Sequence, residues 1–160
     1  MLELFSRQPD VLQVADGSHL TLLPLEEDTS SLSAILLDND YYGFILAGRQ
    51  EIDGVPMVGV AQLIALKARA WLDLTERAGR GEQIDSKTIK KHKNDVFRLY
   101  QILDPVSDPE APEAIKKDIR EFISRMRTED VDIKALGLRT GTRDGIPAEI
   151  ANVYRLGESE

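Results

Sequence analysis

The chain has 160 residues, room for one ordinary domain with a sizeable core. Hydrophobic residues make up 42% and charged residues 30%, a globular balance, and the net charge of -8 argues against a general basic coat for nucleic acid while leaving room for one local basic site. There is no cysteine, which excludes disulfides, thiolate nucleophiles and Cys-ligated zinc; with only His19 and His92, a histidine-rich metal site is excluded too.

No apolar run is long enough to cross a membrane, and no basic region followed by an apolar core opens the chain, so a cytoplasmic protein without membrane contact is expected. Residues 1–7 have the look of a strand, broken by Pro9-Asp10. Val11–Val14 and Leu20–Leu23 flank Asp16-Gly17-Ser18, which reads as a β-hairpin turn, and Pro24 stops the second strand. Ser30 or Ser31 is placed to cap a helix over Leu32–Leu37, interrupted by Asp38-Asn39-Asp40. Tyr41–Ala47 reads as helix, although its Tyr, Phe and Ile would serve a strand equally well, and Gly48 suits a helix end. Asp53-Gly54 signals a turn ahead of a short strand, Val55–Val58.

Three long helices are predicted next. The first spans about Val60 to Arg77, with Val60, Leu63, Ile64, Trp71 and Leu74 on one apolar stripe and the Gly79-Arg80-Gly81 breaker behind it. The second starts after a cap at Asp85 or Ser86 and runs to about Leu103, with a stripe of Ile89, Val96, Leu99 and Leu103. The third has Asp108 as cap, Pro109 in its first turn, and a stripe of Ile115, Ile119, Phe122, Ile123 and Met126. Asp130 is positioned to cap a short helix through Leu136, ended by Gly137, and Pro147–Leu156 forms a last amphipathic helix. The fold class is α+β: short N-terminal antiparallel strands followed by a C-terminal helical bundle, with residues 1–58 the β-containing part and 59–160 the helical part of one compact unit.

Two features point to chemistry. Lys67 completes the apolar stripe of the first long helix between Ile64 and Trp71. An ammonium there must snorkel out along its stem, pair with a carboxylate, or meet a ligand anion, because an unpaired buried charge costs several kcal/mol. The second long helix carries Lys87, Lys90, Lys91, Lys93 and Arg98 against the single acid Asp95, a local net +4 within a chain of -8. Such a concentration is an anion-binding footprint, or else a solvated face with Lys91 and Asp95 as an i, i+4 pair. His92 shares the stripe with Ile89 and Val96, where a lone histidine is more often a hydrogen-bonded core residue than a catalyst. Two antiparallel helices joined by a short connection pack their faces together, which would let Asp95 reach Lys67.

Gln62–Ala70 resembles the helix of AbiEii/AbiGii-type nucleotidyltransferases in which a lysine sits in a leucine, small residue, lysine, alanine setting, and Lys91–Leu99 resembles the following motif, a basic residue followed by an aspartate at the head of an amphipathic helix. The resemblance covers about residues 1–103. It implies a polymerase β-like nucleotidyltransferase fold, from toxin halves of bacterial toxin–antitoxin and abortive-infection systems. The activity it implies is nucleotide transfer from an NTP, with Mg²⁺, to an acceptor that in some members is tRNA.

The fold also needs an early Gly-Ser or Gly-Gly turn and, about ten residues later, an Asp-x-Asp pair whose two carboxylates point the same way to clamp Mg²⁺. Gly17-Ser18 lies too far before Asp38-Asn39-Asp40, and Asp130-Val131-Asp132 has no glycine turn ahead of it. The expectation is a chain that starts after those motifs, with Glu3 standing for the third carboxylate, no metal ligands of its own to name, and no activity alone. Lys67 and Asp95 are the candidate catalytic pair. Lys90, Lys91, His92 and Arg98 are the candidate contacts to NTP phosphate or RNA, and an antitoxin protein or a second copy of the chain are further expected partners. The rival reading is a non-catalytic module that binds a partner protein or RNA through the basic helix 87–98.

Overall fold

The computed structural model describes residue 35 and residues 38–138 and 141–157. The strands expected before Pro24, Glu3, Gly17-Ser18 and nearly all of the helix expected over 32–37 lie outside the described residues. Within them the architecture is α+β: five helices and a two-stranded antiparallel sheet, in the order α1 (Asn39–Ala47), β1 (Arg49–Ile52), β2 (Val55–Val58), α2 (Val60–Gly79), α3 (Ser86–Tyr100), α4 (Glu113–Met126) and α5 (Gly145–Val153).

Local chemistry sets most of the boundaries. The Asp38 carboxylate accepts from the backbone N–H of Asp40 and Tyr41, which starts α1 and resolves the helix-or-strand ambiguity of its aromatic run. Asp53 and Gly54 both adopt positive φ (52° and 78°), the geometry of a two-residue hairpin turn, and pair Arg49 with Val58 and Ile52 with Val55. Arg49–Ile52 carries no strand signal in the sequence because it is four residues long, mostly polar and exposed throughout. Asp85 caps α3 through the N–H of Lys87, as its position predicts.

Several helix bounds differ from those the sequence suggests: α1 begins at Asn39 rather than Tyr41, because Asp38 caps it, and α5 spans Gly145–Val153 rather than Pro147–Leu156. The third long helix begins at Glu113 and not at Pro109: Glu110 takes a positive φ of 31°, and Pro112 then supplies the extended entry. Residues 133–137 form a turn rather than a helix, capped by the carboxylate of Asp132 on Ala135 N–H rather than by Asp130, and ended by Gly137 at φ 71° as expected.

The core is built around α2. Its apolar positions do not form one stripe: Ala61, Ile64, Ala65, Leu66, Ala68, Ala70, Trp71, Leu72 and Leu74 are all buried, while Val60 and Leu63 are only partly so. The four alanines let neighbouring helices approach this one from several sides. Helix α3 packs along it; α4 meets it through Trp71 and Phe122, whose rings stand edge to face at 5.4 Å and 89°. From the end of α5, the Tyr154 hydroxyl donates to the carbonyl of Ala61 near the start of α2. The Tyr41 hydroxyl of α1 donates to Asp118 Oδ2 at 2.8 Å, and Arg69 Nη1 of α2 donates to Asp118 Oδ1 at 3.2 Å, so a single α4 carboxylate ties three helices together.

Both tyrosines hold their protons more tightly than an exposed phenol. Burial is the main cause in each, and for Tyr41 the charge of Asp118 adds to it. Above the ordinary tyrosine value of 10.0 the unfolded chain releases these protons while the folded chain keeps them, so stability must fall as pH rises. Urea melts between about pH 9.5 and 11.5 should lose up to about 1.4 kcal/mol per pH unit for each tyrosine, and Tyr41→Phe should flatten the slope by one such increment. An unchanged slope in that variant would show that Tyr41 is not buried against Asp118.

Candidate functional site

Helices α2 and α3 are joined by the short segment 80–85 and run antiparallel, which brings the middle of each opposite the other. There Lys67 Nζ lies 3.5 Å from Asp95 Oδ2, the juxtaposition that the sequence pattern predicts. The lysine side chain is 19% exposed and the aspartate 23%, so the pair is partly withdrawn from water. At 3.5 Å it is a contact of opposite charges more than a tight hydrogen bond. Asp95 has a second cation: Arg98 Nη1 reaches its other oxygen at 3.4 Å from one turn further along α3. One carboxylate is thus shared between two cations, and the group as a whole keeps a net positive charge.

Lys67 does not sit in the middle of an oily seam, as the stripe on α2 implied. It lies with the partly buried Val60 and Leu63 at the lip of the α2–α3 contact. The acid answers it from across that lip, and the ammonium keeps a route to solvent.

On α3, Lys87, Lys90, Lys91 and Arg98 are exposed and form the outward basic face. The candidate contact His92 and one member of the basic run, Lys93, are placed elsewhere. His92 is 0% exposed and packed on the core side, so it cannot touch a ligand on the basic face. Lys93 also turns inward: its Nζ donates to Glu129 Oε2 at 2.6 Å and to the carbonyl of Asp130 at 2.9 Å. The reason is Phe97, buried four residues after Lys93 and left out of the predicted stripe; with it, the buried face of α3 comprises Ile89, His92, Lys93, Val96 and Phe97. A core face drawn through Phe97 points Lys93 inward, but nothing local in the sequence identifies Glu129, 36 residues on, as its partner.

The described residues do not fit a divalent metal. Among them no group of three or more His, Asp or Glu gathers closely enough to hold one. Asp95 is a single carboxylate already engaged by two cations, and the Asp132 carboxylate is occupied as a turn cap. Mg²⁺ is held by one or two carboxylates together with waters and substrate phosphates, and both of these acids are already engaged. Among the described residues no helix is long and apolar enough to cross a membrane. Comparison with protein-family models, curated proteins and solved structures gave no match.

The geometry sets the relative cost of cutting the pair. Lys67→Met leaves Asp95 its arginine, whereas Asp95→Ala strands two cations, so the aspartate variant should lose more stability. A double-mutant cycle on Lys67 and Asp95 should give a coupling of about 0.5–1.5 kcal/mol, above the usual value for an exposed pair because both side chains are largely covered. A coupling of zero in urea melts would mean that the two charges do not interact in solution.

Proposed function

We propose that the chain is a nucleotidyltransferase-like protein of the AbiEii kind, belonging to a bacterial toxin–antitoxin or abortive-infection system, in which the α2–α3 seam receives the triphosphate of an NTP. The observation that carries this reading is the Lys67–Asp95 contact at 3.5 Å, made by the two residues on which the family likeness rests. In this role the Lys67 ammonium, held in place by Asp95, stabilises the charge that builds on the transferring phosphoryl group; Arg98 and Lys90 meet the outer phosphates or an RNA acceptor, tRNA in the sense of the resemblance. Mg²⁺ has no ligand set among the described residues, so no step runs through it. Among the described residues neither a nucleotide-clamping turn nor paired carboxylates accompanies this polar pair, so in this reading it orients phosphate and the chain is inactive alone.

A second reading is favoured by one specific observation: Lys87, Lys90, Lys91 and Arg98 remain exposed on one helix even though Lys93 has turned inward. Under it, α3 is a docking face for RNA or a protein partner such as an antitoxin, and Lys67–Asp95 is only a strut.

Thermal melts separate the two. An NTP supplied with Mg²⁺ at about a hundredfold its Kd should raise Tm by roughly 5–10 °C under the first reading. Lys67→Met should abolish that shift, and a Lys90→Ala/Arg98→Ala variant should reduce it. No shift with any of the four NTPs, together with an RNA-induced shift that survives Lys67→Met but not the double variant, would overturn the first reading in favour of the second.

A further inference from the structure

A second basic concavity lies away from the α2–α3 seam. This cleft of about 740 Å³ opens between α4 and α5, lined by Arg120, Arg127 and Arg143 with Asp144 as its one acid. Arg120, Ile123, Ser124 and Arg127 recur at the spacing of a single helical face, so two guanidinium-bearing positions about 10 Å apart along the axis bracket an apolar strip. Pro147 and Ala151 of α5 face that strip and complete an apolar floor.

The three arginines differ in how their charge is met. Arg120 is matched by Glu113 at 2.6 Å. Arg127 is exposed and has no ion pair among the described residues. Arg143 is fixed over the C-terminal end of α4 because its Nη2 donates to the carbonyls of Arg127, at 3.1 Å, and Glu129, at 2.7 Å. Neutral carbonyls hold this guanidinium in place without cancelling its charge, and they leave its other N–H donors available. Two uncompensated guanidiniums on one cleft, in a chain of -8, call for a concentrated negative charge. A phosphate carries between about one and two such charges and matches the planar fork bidentately. Beside it the apolar floor fits a flat ring, and the Asn152 and Ser124 side chains on the lining offer hydrogen bonds to that ring's polar edge.

We propose that this α4–α5 cleft binds a nucleotide unit, the phosphate on Arg127 and Arg143 and the base on the Ile123–Pro147 floor. The unit is either a free mononucleotide or one residue of a single-stranded RNA. The site shares no residue with the Lys67–Asp95 pair, and the proposal stands whether or not the seam receives an NTP.

The test uses the full chain. Binding of the four nucleoside monophosphates is followed by calorimetry, and binding of a labelled eight-nucleotide single-stranded RNA by anisotropy, at low and moderate salt. Arg127→Gln, which removes the charge that no other group needs, should weaken binding about tenfold, and adding Arg143→Gln should weaken it further. Uncharged nucleosides should bind at least tenfold more weakly than their phosphates. Tight mononucleotide binding assigns the cleft to the free ligand, and tight RNA with weak mononucleotide binding assigns it to a strand. Unaltered affinity in Arg127→Gln, no binding of either ligand, or an acidic peptide bound as well as the phosphates would each overturn the proposal. Because loss of Arg143 also frees two carbonyls, Arg127→Gln is the deciding variant, with its Tm measured alongside to show that the fold is intact.

Discussion

The constraint on which the remainder depends is the enclosure of α2. Around Ile64, Ala65, Ala68 and Ala70, which have no measurable exposure, this twenty-residue helix leaves little room for a polar face. The charged residues of that stretch must find the narrow gap between neighbours or bring a partner with them. Lys67 does both, and Arg69 does so through Asp118. The polar groups of interest are therefore located where the packing of α2 permits a side chain to leave, and their partners come from whichever helix borders that exit: α3 for Lys67, α4 for Arg69.

The acidic chain also sorts its cations by depth. Lys93 is engaged inside, tying α3 to the segment after α4 through Glu129 and the Asp130 carbonyl. Arg69 is held by a carboxylate that also accepts from a buried tyrosine. Removing either partner would leave a charge or a hydroxyl with nothing to hold it, so these contacts belong to the architecture. The cations that stay at the surface, on α3 and around the α4–α5 cleft, are those the core does not require. A buried ion pair and an exposed basic face can stand close together on one helix, as Lys93 and Lys91 do, and only the packing distinguishes them.

Much of this is legible in the sequence. The bounds of α2, the start of α3, the Asp53-Gly54 turn, the Asp85 cap and the meeting of Lys67 with Asp95 all follow from periodicity, turn chemistry and the antiparallel packing of helices joined by a short loop. What is not legible has a common cause. Lys93 looks like a member of a basic run when Phe97 is left out of the core face, and an error in that face misassigns the side chains beside it. The start of α4 at Glu113 escapes because Pro109 suits a first helical turn as well as it suits the loop it occupies. The Glu129 and Asp118 partnerships are long-range, and no local pattern encodes which acid a buried cation will find. The α4–α5 cleft needs both helices in place, since more than half of its lining lies beyond residue 140.

The β1–β2 ribbon stands away from the core, with Ile52, Val55 and Met57 each about half exposed. It is moored at its root, where Gly59 N–H donates to the carbonyl of Gly48 at 2.9 Å and both glycines close over the amide of the buried Gln62. A Cβ at Gly48 would collide with that amide, and a Cβ at Gly59 would press on the Gly48 carbonyl as well. Tolerance to sequence drift should therefore run opposite to intuition along this ribbon: the greasy tip is free to vary, while at its base a side chain on Gly48 must displace the Gln62 amide and one on Gly59 must also push against backbone.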